Sequence, residues 1–72
     1  MKKINKIKIK VNGKLKLFMD GGRMSDLLDN LKIPLKKVAI ELNEEIIDKK
    51  KINRIKLKNG DKIEIVHFIG GG

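Results

Sequence analysis

From Lys6 to Leu17 lysines alternate with apolar residues on both sides of an Asn12-Gly13 step. That pattern admits one local structure. A period of two over Lys6 to Val11 is that of a half-buried strand, with Ile7, Ile9 and Val11 on one face and Lys6, Lys8 and Lys10 on the other. Asn-Gly is the strongest short-range hairpin signal, because both central residues of the tight turn need positive φ. The alternation resumes from Lys14, and carrying it across the turn as an inward apolar set places Leu15 and Leu17 in the core. The chain therefore opens as an antiparallel hairpin whose inner face wants a cover.

The cover follows at once. Asp20-Gly21-Gly22 breaks the second strand, and Met24, Leu27, Leu28 and Leu31 then recur at i, i+3, i+4 and i+7, an apolar helix stripe. Asp26 lies in the first turn, where the helix dipole favours negative charge. Pro34 stops the helix, and Ile33 before it is driven to extended geometry. So short a helix needs a sheet to pack on. Val38, Ile40 and Leu42 mark a third strand. Asn43-Glu44 turns the chain into a short apolar piece over Glu45 to Ile47. Lys49-Lys50-Lys51 reads as a solvated run, and Ile52, Ile55 and Leu57 as anchors of a long connection. After an Asn59-Gly60-Asp61 turn, a last strand runs from Lys62 to Phe68. Two strands, one helix, then two or three strands is an α+β order. The economical solution is a β-grasp: a mixed sheet of four or five strands packed on one helix, with the first and last strands side by side at its centre. Residues 1–69 are expected to form that one domain, and 70–72 a flexible glycine tail.

The side-chain inventory argues against an enzyme. There is no cysteine, threonine, tyrosine or tryptophan; Ser25 is the only serine and His67 the only histidine. Nucleophilic catalysis needs a nucleophile, a base and an orienting group together, and one histidine cannot hold a metal. Glu44, Glu45 and Glu64 are scattered among lysines. Without cysteine there is no disulfide framework, and a cytoplasmic setting fits. No apolar run reaches the length of a membrane span.

A net charge of +9 favours acidic partners, or it reflects a lysine-rich solvated surface in a chain biased to Lys, Ile and Asn. A small basic nucleic-acid-binding module is the rival of another class, resting on Lys6, Lys8, Lys10, Lys14 and Lys16. Phe18 and Phe68 are the only aromatics of the FWY set, and the lack of stacking platforms argues against nucleic acid.

In the last strand Ile63 and Ile65 share the core face. Val66 and Phe68 fall with Glu64 on the other side, where they suit a partner-binding patch, unless a bulge near the end turns them inward. The sequence closes on Gly70-Gly71-Gly72, which packs nothing and costs entropy to order. Such a tail is either frayed or shaped to slide into a narrow slot and present its carboxylate to another enzyme.

Val38-Ala39-Ile40-Glu41-Leu42-Asn43, Ile46-Ile47, Asn59-Gly60-Asp61-Lys62-Ile63-Glu64-Ile65-Val66 and the glycines, in that order, resemble the thiamine-pathway sulfur carrier family, ThiS. The likeness takes in the helix segment Met24-Ser25-Asp26-Leu27-Leu28. Where the family often has a capping Thr this chain has Arg23, so the cap is expected from Asp20 or a backbone turn. The resemblance implies a carrier rather than an enzyme. The carboxylate of Gly72 would be adenylated by a ubiquitin-activating-type enzyme that uses ATP and Mg²⁺, with no cofactor bound by the carrier itself. Sulfur from a persulfide donor system would then give a thiocarboxylate consumed by thiazole synthase. Gly70 and Gly71 would thread the partner's active site. Val66 and Phe68, flanked by Lys6, Lys8 and Lys10, would form the docking surface. Carriers for molybdopterin or tungsten cofactor synthesis, and ubiquitin-like modifiers, resemble the same pattern.

Overall fold

A computed structural model describes residues 5–68. Strands β1 (Lys6–Val11) and β2 (Lys14–Met19) precede helix α1 (Met24–Leu31), and β3 (Val38–Leu42), β4 (Glu45–Ile46) and β5 (Lys62–His67) follow. The sheet order is β2-β1-β5-β3-β4. β1 and β5 are parallel, and the β1–β2, β3–β5 and β3–β4 pairs are antiparallel. This is the mixed five-stranded β-grasp that the element order predicts, with the first and last strands adjacent.

The helix stripe packs as its period requires. Met24, Leu27 and Leu28 join Ile7, Ile9, Val38, Ile40, Ile63 and Ile65 in one core, with Leu31 partly buried against it. Ile52 and Leu57 are buried and Ile55 partly so, so the long connection is anchored where the sequence predicts. A 3-10 segment over Lys49–Arg54 carries Ile52 to the core. The helix stops at Leu31 because Lys32 turns left-handed at φ 56°, three residues after Asp29, whose carbonyl accepts from the Lys32 N–H.

The start of α1 is not capped by Asp20. The Asp26 carboxylate accepts from the Arg23 backbone N–H at 2.9 Å, and the Met24 N–H donates to the Ile55 carbonyl at 2.8 Å. Backbone pairing with the long connection does what a capping hydroxyl would do. Gly22 beside it is required by close approach: a Cβ there would overlap the buried Phe18 ring.

One sequence expectation is overturned. Leu15 and Leu17 do not face the core; they are 64% and 55% exposed, and Phe18 is buried instead. The two-residue turn pairs Val11 directly with Lys14, Ile9 with Lys16 and Ile7 with Phe18. Directly opposed residues of an antiparallel pair share a face. Lys14, Lys16 and Phe18 therefore take the helix side, and Leu15, Leu17 and Met19 take the other. A register set by the turn reverses every side chain of the second strand.

No helix among the described residues is long and apolar enough to cross a membrane.

Candidate functional site

Helix α1 covers one face of the sheet, so chemistry that needs a partner falls to the outer face and to the end from which the tail leaves. β5 is flanked by β1 and β3, and after His67 the chain runs on from the middle of the sheet. Its last turns are held firmly. The Ile65 N–H donates to Asn12 Oδ1 at 2.7 Å, and Asn12 Nδ2 donates to the Ile65 carbonyl at 3.3 Å. The side chain of Asn12 thus extends the β1–β5 pairing past the point where β1 ends. Asn12 signals a turn in the sequence; that its amide also braces β5 depends on the tertiary register.

Val66 and Phe68 are 53% and 54% exposed, so no bulge turns them inward. Val66 lies opposite Ala39 on β3. The Phe68 N–H donates to the Lys37 carbonyl at 2.9 Å, carrying the β3–β5 pairing one residue beyond the strand. Lys49 is not part of a solvated run. Its ammonium donates to the Leu35 and Val38 carbonyls at 2.9 and 2.7 Å and lies 5.3 Å from the centroid of the Phe68 ring, within cation–π range. Lys50 and Lys51 are exposed, as expected. Lys49→Met should keep the stem but leave two carbonyls without their charged donor, lowering stability by roughly 1–3 kcal/mol. It should also free the Phe68 ring. Chemical denaturation and the ring chemical shifts of Phe68 check this; an unchanged midpoint and unchanged shifts would remove Lys49 from the site.

Lys6, Lys8 and Lys10 do not flank Val66 and Phe68, as the sequence suggests they should. β1 and β5 are neighbours, but their parallel register pairs Lys10 with Lys62 and Val11 with Ile63. Lys6 and Lys8 lie behind the start of β5, while Val66 lies four residues ahead of Lys62, about 13 Å along the strand. The lysines stand instead opposite Met19, Leu17 and Leu15 on β2. Gly70, Gly71 and Gly72, with the domain boundary at residue 69, lie outside the described residues.

Among the described residues no group of three or more His, Cys, Asp and Glu could hold a metal. Ser25 is in the first turn of α1 and His67 at the exposed end of β5, and no hydrogen bond joins them among the described residues.

Comparison with known proteins agrees with this fold. The chain is 43% identical over 65 residues to the sulfur carrier protein ThiS of Bacillus subtilis, covering 89% of this chain and 98% of that one. It is 39% identical over 66 residues to a thiazole synthase of Paramagnetospirillum magneticum, covering 92% of this chain but 20% of that protein. The crystal structure of the thiamine biosynthesis protein ThiS from Geobacter metallireducens superposes with a TM-score of 0.81 at 30% identity, over 92% of this chain and 100% of that one. The ThiS family model matches residues 4–72, glycines included. By sequence, fold and extent of match, this chain belongs to the ThiS family.

Proposed function

We propose that the chain is a sulfur carrier for thiazole formation in thiamine biosynthesis, and that the terminal carboxylate of Gly72 is its working group. The observation that carries this is the family match over residues 4–72, which spans the fold and the Gly70-Gly71-Gly72 segment together. A free carboxylate is a poor electrophile. Attack of one carboxylate oxygen on the α-phosphate of ATP, with loss of pyrophosphate, makes an acyl-adenylate. A persulfide sulfur then attacks the acyl carbon and AMP leaves. A thiol cleaves the resulting S–S bond, itself going to disulfide, and the thiocarboxylate remains on Gly72. ATP, Mg²⁺ and the persulfide belong to partners, so the carrier is a co-substrate and not the enzyme.

What this chain supplies is presentation. β5 is braced on both edges, so the tail leaves from a fixed point. Gly70 and Gly71 then carry no side chain to obstruct a partner's slot. Val66 and Phe68, exposed next to that point, are the docking contacts for the adenylating enzyme, and thiazole synthase is the consumer of the sulfur. Matches to thiazole synthases in which the ThiS-like stretch is about a fifth of the protein support that pairing. Incubation with a ThiS-type adenylating enzyme, ATP and a sulfur donor should change the intact mass by replacement of one oxygen with sulfur. The same treatment of a chain lacking Gly72 should leave it unchanged. Conversion of the shortened chain would disprove the assignment.

A further inference from the structure

The outer face of the β1–β2 hairpin holds a feature that the delivery of a carboxylate does not use. Leu15, Leu17 and Met19 are 64%, 55% and 59% exposed and stand in a row along β2, the edge strand of the sheet. Each is directly opposite a lysine of β1: Leu15 faces Lys10, Leu17 faces Lys8, and Met19 faces Lys6. Lys62 extends the row beside Lys10. Lys8, Lys10, Lys62 and Leu15 line an open depression of about 280 Å³. None of Lys6, Lys8 and Lys10 takes part in a salt bridge among the described residues.

Three aligned apolar side chains on an edge strand are an association hazard unless something covers them. A second copy is a poor cover. The chain carries +9, and face-to-face pairing would stack the β1 lysines of one copy on those of the other. Nucleic acid would use the lysines but leave the leucines and the methionine unsatisfied, with no aromatic in the row for bases to stack on. A protein surface with apolar side chains inside an acidic rim satisfies both halves of the pattern.

We propose that this face is a second docking surface, for an acidic-rimmed apolar patch on a partner protein. It is separate from the contacts around Val66 and Phe68. Leu17 lies about 26 Å behind Phe68 along the strand direction, so one partner can hold the carrier by the hairpin while the tail is engaged elsewhere. A covalent tether raises effective concentration; a docked face supplies a comparable gain without one. The inference rests on the carrier role only in the choice of proteins to test.

The experiment measures affinity for the adenylating enzyme and the thiazole synthase of the same organism. It compares wild type with Leu15→Thr/Leu17→Thr/Met19→Thr and with Lys6→Ala/Lys8→Ala/Lys10→Ala, each checked by circular dichroism for an unchanged fold. The threonine variant should bind one of the two enzymes at least about tenfold more weakly through faster dissociation. The alanine variant should associate more slowly with the same enzyme and lose most of the salt dependence. Affinities within twofold of wild type for both enzymes, or no binding by wild type, would overturn the proposal. So would a wild-type dimer that the threonine variant abolishes, or single-stranded oligouridine as the only ligand of the lysines. Failure of the carrier role is read separately, as wild type that is never converted to the thiocarboxylate whatever its affinity.

Discussion

Gly71→Phe is expected to stop conversion of the terminal carboxylate while leaving the denaturation midpoint where it was. Glycine has no side chain to bury, so the substitution removes nothing from the core around Ile40 and Ile63, and stability should stay within about 0.5 kcal/mol of wild type. On the proposed route the adenylating site has to admit the last residues and place one carboxylate oxygen in line with a phosphorus atom, and a misplacement of about 1 Å can cost 100-fold in rate. A phenyl ring beside the terminal residue misplaces it by more. Single-turnover adenylation at saturating enzyme, followed by pyrophosphate release, should fall by at least about 100-fold. Gly71→Ala should fall between the two. Wild-type rates from the phenylalanine variant would show that the glycines are not there for passage through a narrow slot.

The other large effect belongs to the core. Leu28 is 3% exposed and lies on the α1 stripe with Met24 and Leu27. Leu28→Ala should cost about 2–5 kcal/mol through lost burial and the cavity left behind. Total stabilities of small domains run to only about 5–15 kcal/mol, so the variant should be partly unfolded at modest denaturant concentration. Leu15→Ala is the control. With its side chain on the outer face it should change stability by no more than about 0.5 kcal/mol, whereas an inward Leu15 would lose as much as Leu28. Equal losses at the two positions would mean that the hairpin register is wrong.

That pair of leucines marks the limit of what alternation could reveal. The Lys6 to Val11 strand, the Asn12-Gly13 turn, the α1 stripe and its stop before Pro34 were legible because each depends on neighbours in sequence. The α+β order and the pairing of first and last strands followed from economy. Carrying the inward set through the turn failed because a face belongs to the hairpin pairing and not to hydrophobicity: Val11 opposite Lys14 forces Leu15 outward. Phe18 then fills the site beside Ile7, and its fit demands Gly22.

The candidate surface divides in the same way. Exposure of Val66 and Phe68 could be read from period-two spacing after Ile63 and Ile65. Lys49 could not be separated from Lys50 and Lys51, since three adjacent lysines look alike until the 3-10 segment brings one ammonium to the Leu35 and Val38 carbonyls. Nor could the spacing of Lys6, Lys8 and Lys10 from Val66. Adjacency of β1 and β5 is a matter of strand order, but which residues stand side by side is a matter of register. That offset is set by hydrogen bonds such as Lys10 N–H to Asp61 O and Asn12 N–H to Ile63 O, between residues some fifty positions apart. Local patterning by itself determined which segments are strands, which is helix and where the chain can turn. Only the tertiary structure decided that Leu15 and Leu17 face water and which charges lie beside the exposed apolar residues, because pairing and register are long-range and the backbone bonds that set them carry no side-chain signature.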